Sequence, residues 1–422
     1  MKKINFNIIY YFCLGIFILS GLFRTMQQIF DPLEILAYAL LIIKIIKDNV
    51  EECKKIKSIK DINKKKILIN VGILALFGVA FAFSRDVTLV KFILLIYAFK
   101  GLEFEKCVKI DLYVRTIGVI AVLLLCKVGV IEDILVTRGD IVRHSLGFYH
   151  PNVFGDNISL IFFDYIYLSL YNQSITWKKI AIYSIIGIGL STIIYFVSNT
   201  RSAILAILMI LIGIILKKIN IIGKIKENKI LKLTITNIFI ILEIFTIVIT
   251  ILYYNNNYIG NLVNKMFSLR LYYNVQFFEH FGITPFGVNF NGFSNSIMTL
   301  DMAYSNILIR YGIFFTIFMC IIFKKLLKYL YENKNYILMV IFLIFIINGL
   351  FENVWLRIER NIFMLIFYQV VQQYIKDKNL RAEILDILHF TTYLILCHRD
   401  KKDVYRIKNF KTETVLMKLS SF

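Results

Sequence analysis

The chain has 422 residues, 58% of them hydrophobic and 15% aromatic, with only three prolines and a mean hydropathy of +0.70; a soluble domain of this length is ordinarily less apolar. Its formal net charge of +21 would suit a nucleic-acid binder. The basic residues are confined to short segments between apolar runs, however, which is a pattern of membrane topology and excludes a nucleic-acid face.

The apolar runs are roughly 17–25 residues long, enough to cross ~30 Å of hydrocarbon, and they are continuous where barrel strands would alternate. They predict an all-α polytopic membrane protein. The first run begins at Asn5 and has no small-residue cleavage site behind it, so it reads as a retained span. On a roughly 20-residue template the chain gives about twelve spans. Their cores lie near 6–22, 31–46, 67–84, 87–101, 112–130, 151–171, 179–198, 202–217, 230–252, 302–323, 335–351 and 360–376. No internal repeat is evident.

Lysine sets the sidedness. The segments 44–66, 217–232 and 324–336 are densely lysine-rich, and each follows an even-numbered span. Placing them and the amino-terminal MKK in the cytoplasm puts both termini inside. The six cysteines, Cys13, Cys53, Cys107, Cys126, Cys320 and Cys397, then avoid the outer loops and form no C-x-x-C pair. That excludes a zinc or dithiol motif and a disulfide-stapled exterior. On the outer side the basic residues are nearly all arginine: Arg24, Arg85, Arg138, Arg143, Arg201, Arg270, Arg357 and Arg360, with Lys265 the exception. Arginine can snorkel to lipid phosphates. Its planar fork also grips phosphate or carboxylate with two bonds, so the bias points to an anionic-ligand site facing outward.

Three outer segments carry irregular sequence. In IEDILVTRGDIVRHSLGFYHPN (131–152), Pro151 is placed to start the sixth span and His150 to cap it. Proline suits the first helical position, but histidine is not a favoured cap, and the helix start is a ready anion site. In VSNTRSA (197–203), Asn199 and Thr200 turn the chain and hold Arg201 on a short tether. The third segment, 253–301, is a large loop between spans nine and ten, too apolar to be disordered. Within it MFSLRLYYNVQFFEHFG (266–282) reads as a helix along the membrane surface carrying Arg270 and His280. Gly282, Gly287 and Gly292 around Pro285 allow tight turns near a ligand, and no G-K-[ST] follows to make a phosphate loop. Asp301 lies at the mouth of span ten as a candidate N-cap. Few ionisable residues fall inside the bilayer: Asp156, Asp164, Glu243 and Arg310. Glu243 and Arg310 lie at similar depth and are expected to pair, because an unpaired charge there is costly.

The order R-x-S-L-G-F-Y-H-P-N before a span, a T-R-S hairpin, R…P-F-G in a long outer loop, and D-x-x-Y-x-x-x-L-x-x-x-G entering the next span resembles the Wzy-type polysaccharide polymerases, relatives of the O-antigen ligases. The resemblance covers residues 143–312. It implies an enzyme without a cofactor that joins oligosaccharide repeat units carried on undecaprenyl pyrophosphate. The reaction would take place on the outer face of the cytoplasmic membrane, in capsule, O-antigen or exopolysaccharide synthesis. It places Arg143, His150, Asn152 and Arg201 around the lipid pyrophosphate and Arg270 at the reacting end. Membrane lipid, a flippase and a chain-length regulator are the implied partners. Asp301 stands where ligases typically carry a histidine, which leaves Asp301, His280 and His150 as alternatives for the general base. The chemistry needs a base for the attacking hydroxyl and positive charge for the leaving pyrophosphate. The outer segments show no acidic cluster of metal-binding character, so metal-independent transfer is expected.

A ligase would use the same donor and the same plan. A lipid-linked oligosaccharide flippase needs a cavity open to both sides and no fifty-residue outer loop. A lipid-phosphate-sugar glycosyltransferase is disfavoured because Asp31 is the only acid in 23–32, and an ion-coupled transporter by the scarcity of intramembrane acids and paired broken helices. Residues 377–422 read as a basic cytoplasmic tail with an interfacial helix over 382–397.

Overall fold

A run of Leu, Ile, Phe and Val among apolar neighbours can satisfy its backbone only with itself, and these runs fold accordingly as helices. The computed structural model describes residues 6–54, 64–219, 228–291, 293 and 300–376. The tail expected to carry an interfacial helix, and Gly292, lie outside the described residues. In chain order the helices are α1 (Phe6–Leu22), α2 (Gln27–Cys53), α3 (Lys64–Ser84), α4 (Val87–Ala98) and α5 (Phe104–Lys127). A hairpin of β1 (Leu135–Arg138) and β2 (Ile141–His144) follows. Then come α6 (Pro151–Leu170), α7 (Trp177–Val197), α8 (Arg201–Lys218), α9 (Lys229–Thr236), α10 (Ile238–Tyr254), α11 (Tyr258–Met266) and α12 (Arg270–Phe281). The last among the described residues are α13 (Ala303–Asn306), which runs through a π-helical turn at Ile307–Tyr311 into α14 (Gly312–Glu332), α15 (Tyr336–Asn348), and α16 (Phe367–Lys376) behind a 3₁₀ turn, Ile362–Ile366.

The described residues are mostly helical and compatible with a membrane, with the β1–β2 hairpin the departure from an all-α fold, and the spans are less regular than the apolar runs suggest. Among the described residues four helices are long and apolar enough to cross a membrane: Lys64–Ser84, Pro151–Leu170, Trp177–Val197 and Ala303–Glu332. Two further pairs qualify only as bent spans, α1 with the segment Arg24–Cys53 at 93° and α9 with α10 at 63°. The 12 residues of α4 extend only about 18 Å at ~1.5 Å per residue.

Helices α3 and α7 leave most of their apolar side chains exposed, as at Leu68 and Phe196, whereas α6 is largely buried. Helix α6 packs against α5, α7, α8 and α15, and α1 against α2 and α5. Beneath it, Arg115 of α5 is fully buried, pairing with Asp111 at 2.6 Å and donating to Asn157 Oδ1 at 2.6 Å and the Glu359 carbonyl at 2.8 Å. A guanidinium in such surroundings requires partners of this kind. The five described cysteines, Cys13, Cys53, Cys107, Cys126 and Cys320, are all free.

Two expectations are corrected. Arg310 does not pair with Glu243; its partner is Asp86 at 2.9 Å, which also accepts from Tyr311 Oη at 2.8 Å and caps α4 through the Thr88 N–H. The equal-depth estimate assumed straight helices, but the π turn re-aims Arg310 toward the α3–α4 junction. Glu243 is buried in α10, and neither carboxyl oxygen has a hydrogen-bond partner among the described residues. Asp301 is not the cap of the next helix either: the N-cap is Met302, without a side-chain bond.

Candidate functional site

The hairpin and the start of α6 form one unit. Gly139 and Asp140 make the two-residue turn, with Arg138 opposite Ile141 and Gly139 at φ +59°. Asp133 pins its base: Oδ2 meets His144 Nδ1 at 2.6 Å, and Oδ1 accepts from the Leu146 N–H at 2.7 Å. The chain then reaches α6, where Pro151 is the first helical residue and His150 Nδ1 accepts from the Asn152 N–H at 3.1 Å. A ring nitrogen that accepts is unprotonated, so the neutral tautomer carries its proton on Nε2. Burial, and then Arg143 and Arg138, hold the His150 pKa down to about 4. His150 is thus a neutral donor at pH 7, and a poor base.

The VSNTRSA turn docks against this unit. Asn199 adopts a left-handed conformation, and Thr200 packs so closely on Gly155 that a Cβ there would fall 2.6 Å from the Thr200 Cβ. Thr200 Oγ1 donates to the Pro151 carbonyl at 3.3 Å. Arg143, 2% exposed, ties the two together. Its Nε donates to the Ser198 carbonyl at 2.6 Å, and its guanidinium also binds Asn152 Oδ1. Asn152 Nδ2 in turn donates to Glu352 Oε1 at 3.0 Å. Arg270 reaches the same oxygen from α12 at 3.3 Å and is steadied by the Phe351 carbonyl at 2.7 Å and the Phe267 carbonyl at 3.1 Å. A continuous chain Arg143–Asn152–Glu352–Arg270 therefore joins three segments distant in sequence: the hairpin–α6 unit, the link around Glu352 and α12.

That chain forms the wall between two cavities, both lined by Asn152 and Glu352. The smaller, about 200 Å³, is lined by Arg138, Arg201 and Arg270, with Leu205, Met266 and Phe351 as an apolar side. Glu352 is its only carboxylate among the described residues. Burial, then Arg201 and Arg270, lower the Arg138 pKa. The larger, about 600 Å³, is lined by Arg24, Arg310, Arg357 and Arg360 against Asp301 and Glu352. Arg24 and Arg360 lie against the Tyr149 ring at 4.6 and 5.5 Å. Among the described residues, Arg24, Arg357 and Arg360 have no carboxylate at ion-pair distance. Guanidinium groups gathered at such excess repel one another, and an anion relieves that repulsion. Burial and Asp301 raise the Glu352 pKa to about 7, against the opposing pull of Arg270, Asn152 and Arg143.

Of the eight arginines assigned to the outer side, three line the larger cavity, three line the smaller, and Arg143 buttresses the wall; Arg85 sits in the α3–α4 turn. His150, Asn152 and Asp301 line the larger cavity, and Asn152, Arg201 and Arg270 the smaller. His280 lies apart, exposed on α12 and stacked on Phe293 with centroids 4.0 Å apart. Helix α12 begins at Arg270, four residues later than the expected start, because Ser268 and Leu269 are left-handed. Glu352 was not foreseen. Its signal was a carboxylate in FENVWLRIERN (351–361), a short charged link between two apolar runs. Among the described residues no group of three or more His, Cys, Asp or Glu is arranged to hold a metal.

No protein-family model matches the chain, and neither a curated protein nor a solved structure matches it.

Proposed function

We propose that the protein is a glycosyltransferase of the cytoplasmic membrane. It joins oligosaccharide repeat units carried on undecaprenyl pyrophosphate at the outer face, with about twelve spans when bent and short helices are counted, and both termini inside. The observation that carries this reading is the convergence of Arg138, Arg201 and Arg270, from three separate segments, on a cavity with an apolar side. Such a pocket suits a prenyl pyrophosphate: guanidinium forks for the phosphates, apolar residues for the first isoprene unit. The larger cavity beside it has room for sugars, with Tyr149 and Asn291 on its wall.

In the proposed reaction an acceptor hydroxyl attacks the anomeric carbon of the donor. The bond from that carbon to the phosphate oxygen breaks, its electron pair leaves with the pyrophosphate, and a carboxylate takes the hydroxyl proton. Arginines stabilise the departing charge, so the transfer requires no metal. A flippase and a chain-length regulator are the expected neighbours in the membrane. Arg201→Ala and Arg270→Ala should each lower polymer formation about 100-fold or more, the scale of losing a charged leaving-group contact, at unchanged membrane levels. Near-normal polymer from both variants would remove the proposal.

A flippase reading draws support from one further observation. A polar cavity of about 700 Å³ is lined by residues that the lysine pattern places inside, among them Glu103, Glu105, Lys217 and Asn335. It shares no lining residue with the larger outer cavity, which favours the enzyme.

A further inference from the structure

We infer that Glu352 is the group that takes the proton from the attacking hydroxyl, with Asn152 and Arg270 as its positioning residues; this rests on the glycosyl-transfer reading above. The carboxyl group is placed for that work. It is 7% exposed and, among the described residues, is the one carboxylate on the wall shared by the arginine-lined cavity and the larger sugar-sized one. Oε1 is held from two sides, by Asn152 at 3.0 Å and Arg270 at 3.3 Å. No hydrogen bond engages Oε2 among the described residues, and it is not one of the fully buried, unpartnered atoms. One oxygen fixes the orientation while the other remains accessible.

The alternatives are less well placed. His150 presents an N–H, and His280 stands outside both cavities. Asp301 lines only the larger cavity, away from the three arginines that would hold the leaving group.

In the step itself, the acceptor O–H bond breaks and its proton passes to Glu352 Oε2. The hydroxyl oxygen forms the new bond to the anomeric carbon, and the old carbon–oxygen electron pair departs on the pyrophosphate. Glu352 then releases its proton to water. The charged groups facing it are Asp301, Asp156, Arg138, Arg143 and Arg270. Burial and Asp301 bring its pKa to about 7, near the value a general base needs at neutral pH. The rate should therefore fall as the pH drops below about 7, and Asp301→Asn, by removing a repelling charge, should move that acid limb to lower pH.

The test uses the full-length protein in membranes, with its lipid-linked repeat unit for turnover and undecaprenyl pyrophosphate as the binding probe. Glu352→Gln should bind the probe within about twofold of wild type while losing about 100-fold or more of the rate, the usual scale for a lost general base. Glu352→Asp should retain partial rate with an acid limb. If Glu352→Gln fails to reach the membrane, Glu352→Asp and the Asp301→Asn shift decide. A Glu352→Gln enzyme with near-normal rate, or an acid limb that Asp301→Asn abolishes outright, overturns the assignment while leaving the glycosyl-transfer reading standing. A wild-type protein that neither binds the probe nor extends the repeat unit brings down both.

Discussion

Gly287→Ala is the perturbation whose cost can be worked most directly from the structure. Gly287 has φ +90° and meets Gly312, at φ +87°, back to back. Three backbone bonds close around them: the Val288 N–H to the Arg310 carbonyl at 3.1 Å, the Ile313 N–H to Thr284 at 3.0 Å and the Phe314 N–H to Pro285 at 3.2 Å. A Cβ on residue 287 would overlap the Arg310 carbonyl, which is backbone and cannot swing aside. The left-handed conformation alone costs an L-residue about 1–2 kcal/mol. Losing one of the three bonds adds about 1 kcal/mol, so about 2–3 kcal/mol is the expected loss. Arg310 would be displaced with its carbonyl, loosening its 2.9 Å contact with Asp86 and one wall of the larger cavity. Thermal melting of the detergent-purified protein measures this, with Gly189→Ala as the control. A Cβ on Gly189, within helix α7, meets nothing within 4 Å, so that change should stabilise by up to about 1 kcal/mol through helix propensity. A Gly287→Ala protein that melts with wild type, or with the Gly189→Ala control, would refute the packing described for this crossing.

Two further outcomes follow from buried charge. Arg115→Met leaves Asp111, 1% exposed, without its cation; it should cost about 3–5 kcal/mol, and the double change Arg115→Met with Asp111→Leu should recover most of it. Equal melting of the single and double variants would contradict that pairing. The His150 pKa falls to about 4 from an ordinary 6.5, so the unfolded chain binds the proton first as the pH drops. Stability carried by neutral His150 is complete above about 6.5 and drains away toward about 4. His150→Asn retains a capping side chain and should flatten the melting temperature across that window; an unchanged slope would place the dependence elsewhere.

Much of the site was legible because its residues are ones an apolar chain has little other use for. Pro151 and His150 occupy the expected positions at the start of α6, and the bias from lysine to arginine marked seven residues that the fold gathers around two cavities. The hairpin was available in Gly139–Asp140 between β-branched residues, but short polar strands are hard to separate from loop. The Arg310–Asp86 pair was beyond reach, because hydropathy gives depth and not the rotation that a π turn imposes. The bends within the spans were out of reach for a related reason. A window average crosses the bends at 93° and 63° without registering them. Glu352 escaped because its importance comes from Asn152 and Arg270, 200 and 82 residues away along the chain.

The most direct measurement uses membranes containing the protein, its lipid-linked repeat unit and excess EDTA, with products resolved on a gel for wild type and Arg270→Ala. The account predicts a ladder of repeats from wild type that survives chelation and is absent from the variant. No ladder from wild type, together with protein-dependent movement of the substrate across sealed vesicles, would contradict it and make the protein a flippase.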